Sequence, residues 1–536
     1  MIPCSRFLFR ALLFISGLSI CAILVAGKDQ KRPNIIVILT DDMGYSDIGC
    51  FGSEIATPNI DRLSEDGIRF TQFYNCARCN PTRAALLTGR NPHEAGMGFS
   101  TGDLGSPAYQ GHISRNSVTI AEVLGQAGYT TLMSGKWHVG DNRPEWPIDR
   151  GFQRFFGLLG GAGSYWEVLP GKGFRLALDD QLWQPYPEDT EYYFTDEISD
   201  RAVGFIEEAA KKDNPFFLYL TYTAPHWPLH APEEDIARYR GRYRMGWDKL
   251  REIRHKRQLE LGVIDSTWPL SPRDKSAPAW SSLSAEEQDR WDLLMAVYAA
   301  MIDRMDQGIG RVLRRLEELG EADNTLTLFL SDNGGCHVEP SPDQGGSDPE
   351  IGPGPRGGFW GYGPPWANVS NTPFVKFKQY IHEGGISTPL ICHWPARIER
   401  PDRANNQPGH VIDIMATLMD ITGIEYPTTF GGNKIQPLRG ISFAPVFSDQ
   451  PRKEHEVLYW EHTGHRGVRK GNWKLVSDRG GDWELYDVVS DRSEQKDLIS
   501  AYPKKVQELE SLYQEWAKAS GVLDWDEVQE RRRNKP

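Results

Sequence analysis

A cysteine stands directly ahead of a helix-forming run in Cys79-Asn80-Pro81-Thr82-Arg83-Ala84-Ala85-Leu86-Leu87-Thr88-Gly89-Arg90. Asn80 is a good N-cap. Pro81 suits the first helical position, where its missing N–H costs nothing, Ala84 to Leu87 propagate the helix, and Gly89 ends it. Cys79 is thereby expected beside the unpaired N–H groups and positive end of a helix, with Arg83 one turn on, which suits an anionic substrate. Taken alone, the Cys76-x-x-Cys79 spacing would also suit a redox pair or half a zinc site.

Four runs of strand length lead into further reactive residues. Asn34 to Leu39 ends in Thr40-Asp41-Asp42, and Leu326 to Leu330 ends in Ser331-Asp332-Asn333. Adjacent carboxylates repel unless a cation lies between them, although Asp41-Asp42 taken alone would equally suit a solvated turn, which Met43-Gly44 allows. Three carboxylates and an amide oxygen form an all-oxygen set for a hard cation, Ca²⁺ or Mg²⁺, between which the sequence does not choose. Cationic groups come from two more strands: Tyr129 to Met133 runs into Lys136-Trp137-His138, and Phe216 to Leu220 into Pro225-His226. Continuous apolar runs are expected of strands buried on both faces of a parallel sheet, whose carboxyl edge is where ligands bind.

Together these segments resemble the type I sulfatases. Cys79-x-Pro81-Thr82-Arg83 followed by Leu86-Leu87-Thr88-Gly89-Arg90 resembles the family signature, with Thr82 where serine is usual. Gly128-Tyr129 with Gly135-Lys136-Trp137-His138, Pro225-His226-x-Pro228, and Lys378-x-x-x-x-Glu383-Gly384-Gly385 are similar to three further family elements, and the likeness covers most of residues 33–520. The resemblance implies an alkaline-phosphatase-like α/β fold, a large mostly parallel sheet flanked by helices, with a smaller C-terminal α+β part. It implies that a maturating enzyme oxidises Cys79 to formylglycine, whose hydrate attacks the sulfur of a sulfate monoester. It also implies that Asp41, Asp42, Asp332 and Asn333, with residue 79 completing the shell, hold Ca²⁺. Lys136, His226 and Lys378 would bind the sulfate, and Lys376 would be a surface residue. His226 would be the general acid, His138 would take the proton that releases sulfate, Asp332 would accept one during attack, and Arg83 would hold the formylglycine hydroxyl.

Two rivals remain at this level. One is a phosphonate monoester or phosphodiester hydrolase of the same superfamily. The other is a sulfated-glycan-binding protein that keeps Cys79 as a thiol, for which the full set of Lys136, His138, His226 and Lys378 would be superfluous.

The 536-residue chain carries a net charge of −13, which argues against nucleic acid as a partner. Arg6 and Arg10 precede an apolar run from Ala11 to Val25 closed by Ala26-Gly27, as in a signal peptide spanning residues 1–27. Export to a periplasm or the outside, or to a lysosomal or secretory compartment in a eukaryote, is the expectation, with no further membrane span. Five cysteines follow the leader, too few and too scattered for a disulfide scaffold, although an oxidising compartment would allow one bridge. A catalytic domain over residues 28–432 would include an insertion of helix and loop from 233 to about 285, a helix from Ala285 to Leu319 with solvated Asp303 and Asp306, and a Gly/Pro loop from 340 to 365 walling the substrate entrance. Asn368-Val369-Ser370 is a formal glycosylation sequon. Residues 433–536 read as short antiparallel strands, a helix from Pro503 to Ala519 and a disordered basic tail, Arg531 to Lys535.

Overall fold

A computed structural model describes residues 31–100, 102–168, 174–184, 192–340 and 350–534. The apolar leader lies outside them. The described residues from Pro33 onward form one compact unit. No described helix is long and apolar enough to cross a membrane.

Its frame is an eleven-stranded sheet. In chain order the strands are β1 (Asn34–Thr40), β2 (Ile68–Tyr74), β3 (Thr130–Gly135), β4 (Arg154–Leu158), β5 (Leu176–Leu178), β6 (Gln181–Trp183), β7 (Phe216–Thr221), β8 (Thr325–Ser331), β9 (Ser387–His393), β10 (Arg403–Asn405) and β11 (Gly409–His410). They lie in the order β10-β2-β9-β8-β1-β7-β3-β4-β5-β6, with β11 also on β2. The central strands β8, β1, β7, β3 and β4 are parallel, whereas β9 runs against both β8 and β2. In β1, Ile36 and Ile38 enter one apolar cluster and Ile35, Val37 and Leu39 the other. Alternate residues point to opposite faces and helices cover both, so the run is apolar throughout.

Register sets the position of the reactive ends. Thr40 stands opposite Ser331, Leu39 opposite Thr221, and Thr221 opposite Gly135. Asp41, Asp332 and Lys136 therefore leave the sheet at the same edge. At Gly135 (φ 120°) a Cβ would lie 1.8 Å from the Thr221 carbonyl oxygen, so only glycine lets the chain turn there from β3 into Lys136.

The capping box before β3 is present: Thr119 accepts from the Glu122 N–H, and Glu122 accepts from the Thr119 N–H at 2.7 Å. Thr119→Ala is expected to destabilise by about 1–2 kcal/mol, read as a lower urea midpoint; an unchanged midpoint would show that the cap contributes nothing.

The helix carrying Cys79 differs from expectation. It spans Cys79–Thr88, its N-cap is Arg78 without a side-chain capping bond, and Pro81 sits at its third position. Proline is tolerated there because the first helical N–H groups have no intrahelical acceptor; the first bond is Thr82 N–H to the Arg78 carbonyl, 3.0 Å. Asn80 instead donates from Nδ2 to the Phe99 carbonyl.

The helix Ala285–Glu318 packs into the core on one side of the sheet, but its Asp303 and Asp306 are buried and not solvated. Asp306 accepts from the Asn59 and Ile60 N–H groups at the start of the helix Pro58–Glu65, and Asp303 accepts from Tyr239. Asn368 is 1% exposed, which closes the sequon in the folded chain.

After a hairpin of β12 (Thr429–Phe430) and β13 (Asn433–Lys434), a second sheet follows: β14 (Leu458–His462), β15 (His465–Lys470), β16 (Trp473–Ser477) and β17 (Glu484–Asp487), antiparallel throughout. One face takes Leu509, Tyr513 and Ala517 of the helix Pro503–Ser520; the other meets Tyr74, Ile381 and Ile386. Glu383, fully buried, accepts from Lys474 at 2.8 Å and Arg492 at 2.7 Å, joining this sheet to the segment that carries Lys378. The basic tail is not disordered over its described part. Residues Trp525–Arg533 form a helix whose Val528 packs with Leu104, Ala108 and Tyr109, while Arg531 donates to the Leu104 carbonyl.

Candidate active site

The ten residues singled out from the sequence converge at the carboxyl edge of the central strands. Cys79, 3% exposed, lies with Sγ 3.3 Å from His138 Nδ1. Arg83 donates to Asp332 Oδ2 from Nε and Nη2 at 3.0 and 2.8 Å, and to the Lys136 carbonyl from Nη1 at 2.8 Å. It thus ties the Cys79 helix to the ends of β8 and β3. Lys136 reaches Asp41 and Lys378 reaches Asp42, each at 2.5 Å. Asn333 Nδ2 donates to Asp42 Oδ1 at 2.7 Å, and the Asp42 N–H to Asp332 Oδ1 at 3.3 Å.

His226 Nδ1 lies 2.5 Å from the Trp227 carbonyl, which can only accept, so Nδ1 carries a proton. Nε2 therefore faces Asp42 at 3.4 Å. Lys376, by contrast, pairs with Asp478 away from this network.

Local structure fixes several of these groups. Asp42 (φ 67°) and His138 (φ 59°) both have left-handed backbone, where the turn redirects each side chain, and such strain concentrates at functional sites. The Trp137 and His138 N–H groups donate to the Leu158 and Leu159 carbonyls, pinning the segment after β3. Thr82, where serine is usual, uses its hydroxyl within the fold. Its Oγ1 accepts from the Cys76 N–H at 2.9 Å, a bond that either hydroxyl could make.

Burial raises the cost of a thiolate, yet Lys136 and Lys378 draw the Cys79 thiol below its ordinary pKa. Burial, reinforced by Lys136 and Arg83, pushes His138 well below the usual histidine range and keeps it neutral. Burial also opposes charge on Asp42, but His226, Lys378 and the Asn333 amide hold it below the usual carboxylate range.

The donor set fits a hard cation. Asp41 Oδ1, Asp42 Oδ2 and Asn333 Oδ1 are buried oxygens without a hydrogen-bond partner, and ligand atoms of Asp41, Asp42 and His226 lie within 4.8 Å of one another. Buried acceptors left unpaired in this number are costly unless an ion satisfies them. The redox reading of Cys76 and Cys79 gains no support: both are free thiols, and Cys76 Sγ faces His410 instead.

A family profile for sulfatases matches residues 33–424, and one described as N-sulphoglucosamine sulphohydrolase, C-terminal, matches 375–519. The chain belongs to the sulfatase family, and its chemistry is the hydrolysis of sulfate esters. It is 35% identical over 528 residues to an uncharacterized sulfatase of Schizosaccharomyces pombe, covering 92% of this chain and 95% of that one. It is also 35% identical over 447 residues to an arylsulfatase of Klebsiella aerogenes, covering 80% and 95%. Among solved structures, Ps i-CgsB in complex with k-i-k-neocarrahexaose superimposes with a TM-score of 0.67 at 25% identity, covering 93% of this chain and 99% of that one.

Sequence reasoning did not find Arg78, Thr463, Arg479 and Arg532, which line a cavity next to the Cys79 helix. Of these only Arg78 adjoins a motif.

Proposed function

We propose that the chain is an exported hydrolase of carbohydrate sulfate monoesters in which residue 79, matured to formylglycine, acts on a sulfate held by Lys136, Lys378 and His226. The observation that carries this is the convergence of all ten residues on one buried strand edge around the Cys79 side chain. The catalytic part is residues 28–432, with residues 433–536 a C-terminal subdomain, and the apolar leader directs export.

Formylglycine at position 79 would supply the oxygen nucleophile toward sulfur. Asp41, Asp42, Asp332 and Asn333 would hold Ca²⁺, or Mg²⁺, which lowers the pKa of a coordinated hydroxyl. Lys136 and Lys378 place positive charge where the sulfuryl oxygens gain negative charge. As the bond between sulfur and the ester oxygen breaks, His226 would give that oxygen a proton from Nε2 in its doubly protonated form, which burial opposes, holding the ring below the usual histidine range, and which Asp42 and Asp41 favour. His138, neutral and with Nδ1 against the residue 79 side chain, takes the proton whose removal frees sulfate. Arg83 positions Asp332 and the Lys136 backbone. Both its donors to Asp332 fall on Oδ2, which leaves Asp332 a charge partner rather than a free base.

The test is turnover of 4-nitrophenyl sulfate and of a sulfated monosaccharide, together with the mass of the tryptic peptide from Cys79 to Arg83. Hydrolysis with the thiol replaced by an aldehyde is expected. Unmodified cysteine in active protein, or faster turnover of a phenylphosphonate ester, would overturn the assignment. Chelation of divalent cations is expected to abolish turnover and lower the thermal midpoint, and Ca²⁺ at a hundred times its Kd to restore about 2.7 kcal/mol of stability. A midpoint and rate unmoved by chelator would remove the metal from the scheme.

A further inference from the structure

Beside the start of the Cys79 helix lies a cavity of about 490 Å³. Arg78, the residue before Cys79, and Gln379, the residue after Lys378, both line it, so it opens between the two segments that bring residue 79 and a sulfate-binding lysine together. The second sheet and the C-terminal helix supply its other walls through Thr463, Arg479, Trp525 and Arg532.

Three features of this cavity call for a ligand. First, among the described residues none of Arg78, Arg479 and Arg532 forms an ion pair, although the chain as a whole is strongly acidic. Arginines left free of carboxylates beside one cavity are suited to bidentate capture of sulfate or carboxylate.

Second, two of these guanidinium groups are held by their surroundings. Arg479 lies 4.6 Å from the Trp525 ring centroid and donates from Nε to the Thr463 carbonyl at 2.6 Å, which leaves its terminal nitrogens for a ligand. Arg532 lies 5.0 Å from the Phe99 centroid, and Phe99 itself stacks on His462.

Third, Thr463 is 5% exposed, lines the cavity and leaves Oγ1 without a hydrogen-bond partner. It occupies, with Gly464, the two-residue turn between His462 and His465 at φ 55°, a conformation that Asn, Asp or Gly adopts readily and a β-branched residue does not. A strained threonine with a buried, unsatisfied hydroxyl is accounted for by a ligand that uses that hydroxyl.

We propose that this cavity binds a second anionic group, a sulfate or carboxylate on a sugar linked to the one being desulfated, with Arg78, Arg479 and Arg532 around the charge and Phe99 and Trp525 beside the ring. The substrate class is then an anionic oligosaccharide rather than a lone sulfated sugar or aryl sulfate, a refinement that rests on the sulfate ester chemistry proposed above.

The test compares three oligosaccharides with the same cleavable sulfate, whose neighbouring sugar carries a sulfate, a carboxylate or neither, alongside 4-nitrophenyl sulfate. The double variant Arg479→Ala/Arg532→Ala, at exposed positions, is expected to lose roughly tenfold or more in kcat/KM on the charged substrates, chiefly through KM. It should change less than about twofold on the uncharged oligosaccharide and the aryl sulfate. Arg479→Lys/Arg532→Lys should recover part of the loss. Which charged substrate suffers more identifies the preferred anion. An equal loss on all four substrates, or on none, overturns the proposal. Calorimetry with Cys79→Ala protein separates the two ideas. If the chain hydrolyses no sulfate ester, the function above fails, whereas the cavity fails on its own if the charged oligosaccharide binds Cys79→Ala protein with and without the two arginines alike.

Discussion

Cys79→Ala is expected to lower sulfate ester hydrolysis by about 10⁴-fold or more while leaving the fold intact. The thiol is small and buried, and its short polar contact is with His138, so truncation removes little packing. Lys136, Lys378 and His226 would still bind the ester, because their partners are Asp41, Asp42 and the Trp227 carbonyl rather than Cys79. KM should therefore move far less than kcat. Cys79→Ser sharpens the point: it offers a hydroxyl in the same place, and if conversion to an aldehyde is what matters, it should be as inactive as alanine. A serine variant retaining more than about a hundredth of wild-type turnover would show that a simple hydroxyl suffices.

Arg83→Ala should cost about 3–5 kcal/mol of stability, because it strips a fully buried carboxylate of its guanidinium. Arg83 and Asp332 are both 0% exposed, and the Lys136 carbonyl would lose its donor as well. Since Arg83 spans the helix of Cys79 and the ends of β3 and β8, turnover should fall with stability. The check is a urea titration beside a rate measurement at a temperature where the variant remains folded. An unchanged midpoint would mean that Asp332 is not charged against Arg83 at all.

Much of the fold was legible because double burial writes a clear pattern: the runs at Asn34, Phe216 and Leu326 are almost wholly apolar and end in polar residues. The site was legible where a motif kept its residues close, as in Lys136-Trp137-His138, and at Lys378, chosen over Lys376 by spacing to Glu383. Local rules misplaced the Cys79 helix start, since the first turn has no N–H acceptors and tolerates proline at more than one position. Asp303 and Asp306 looked solvated because the N–H and hydroxyl groups that satisfy them, from Asn59, Ile60 and Tyr239, lie far away in sequence. The basic tail looked disordered because its composition says nothing of Val528 docking against Leu104. The cavity was invisible for the same reason: Arg78, Thr463, Arg479 and Arg532 meet only in space.

The pairing of β1 with β7 and β8 has a consequence for the order of events in the life of the chain. Asn34 meets Phe216 across 182 residues, and Thr40 meets Leu330 across 290. Pairings this distant are entropically expensive and form late, so a growing chain exposes the Cys79 stretch well before Asp332 and Lys378 have been synthesised. Once the sheet closes, the side chain is buried at the strand edge, with 3% of the residue exposed. On the proposed maturation, the enzyme that converts residue 79 would reach it most readily in the interval between translation and closure, and a faster-folding variant would leave more of its cysteine unconverted.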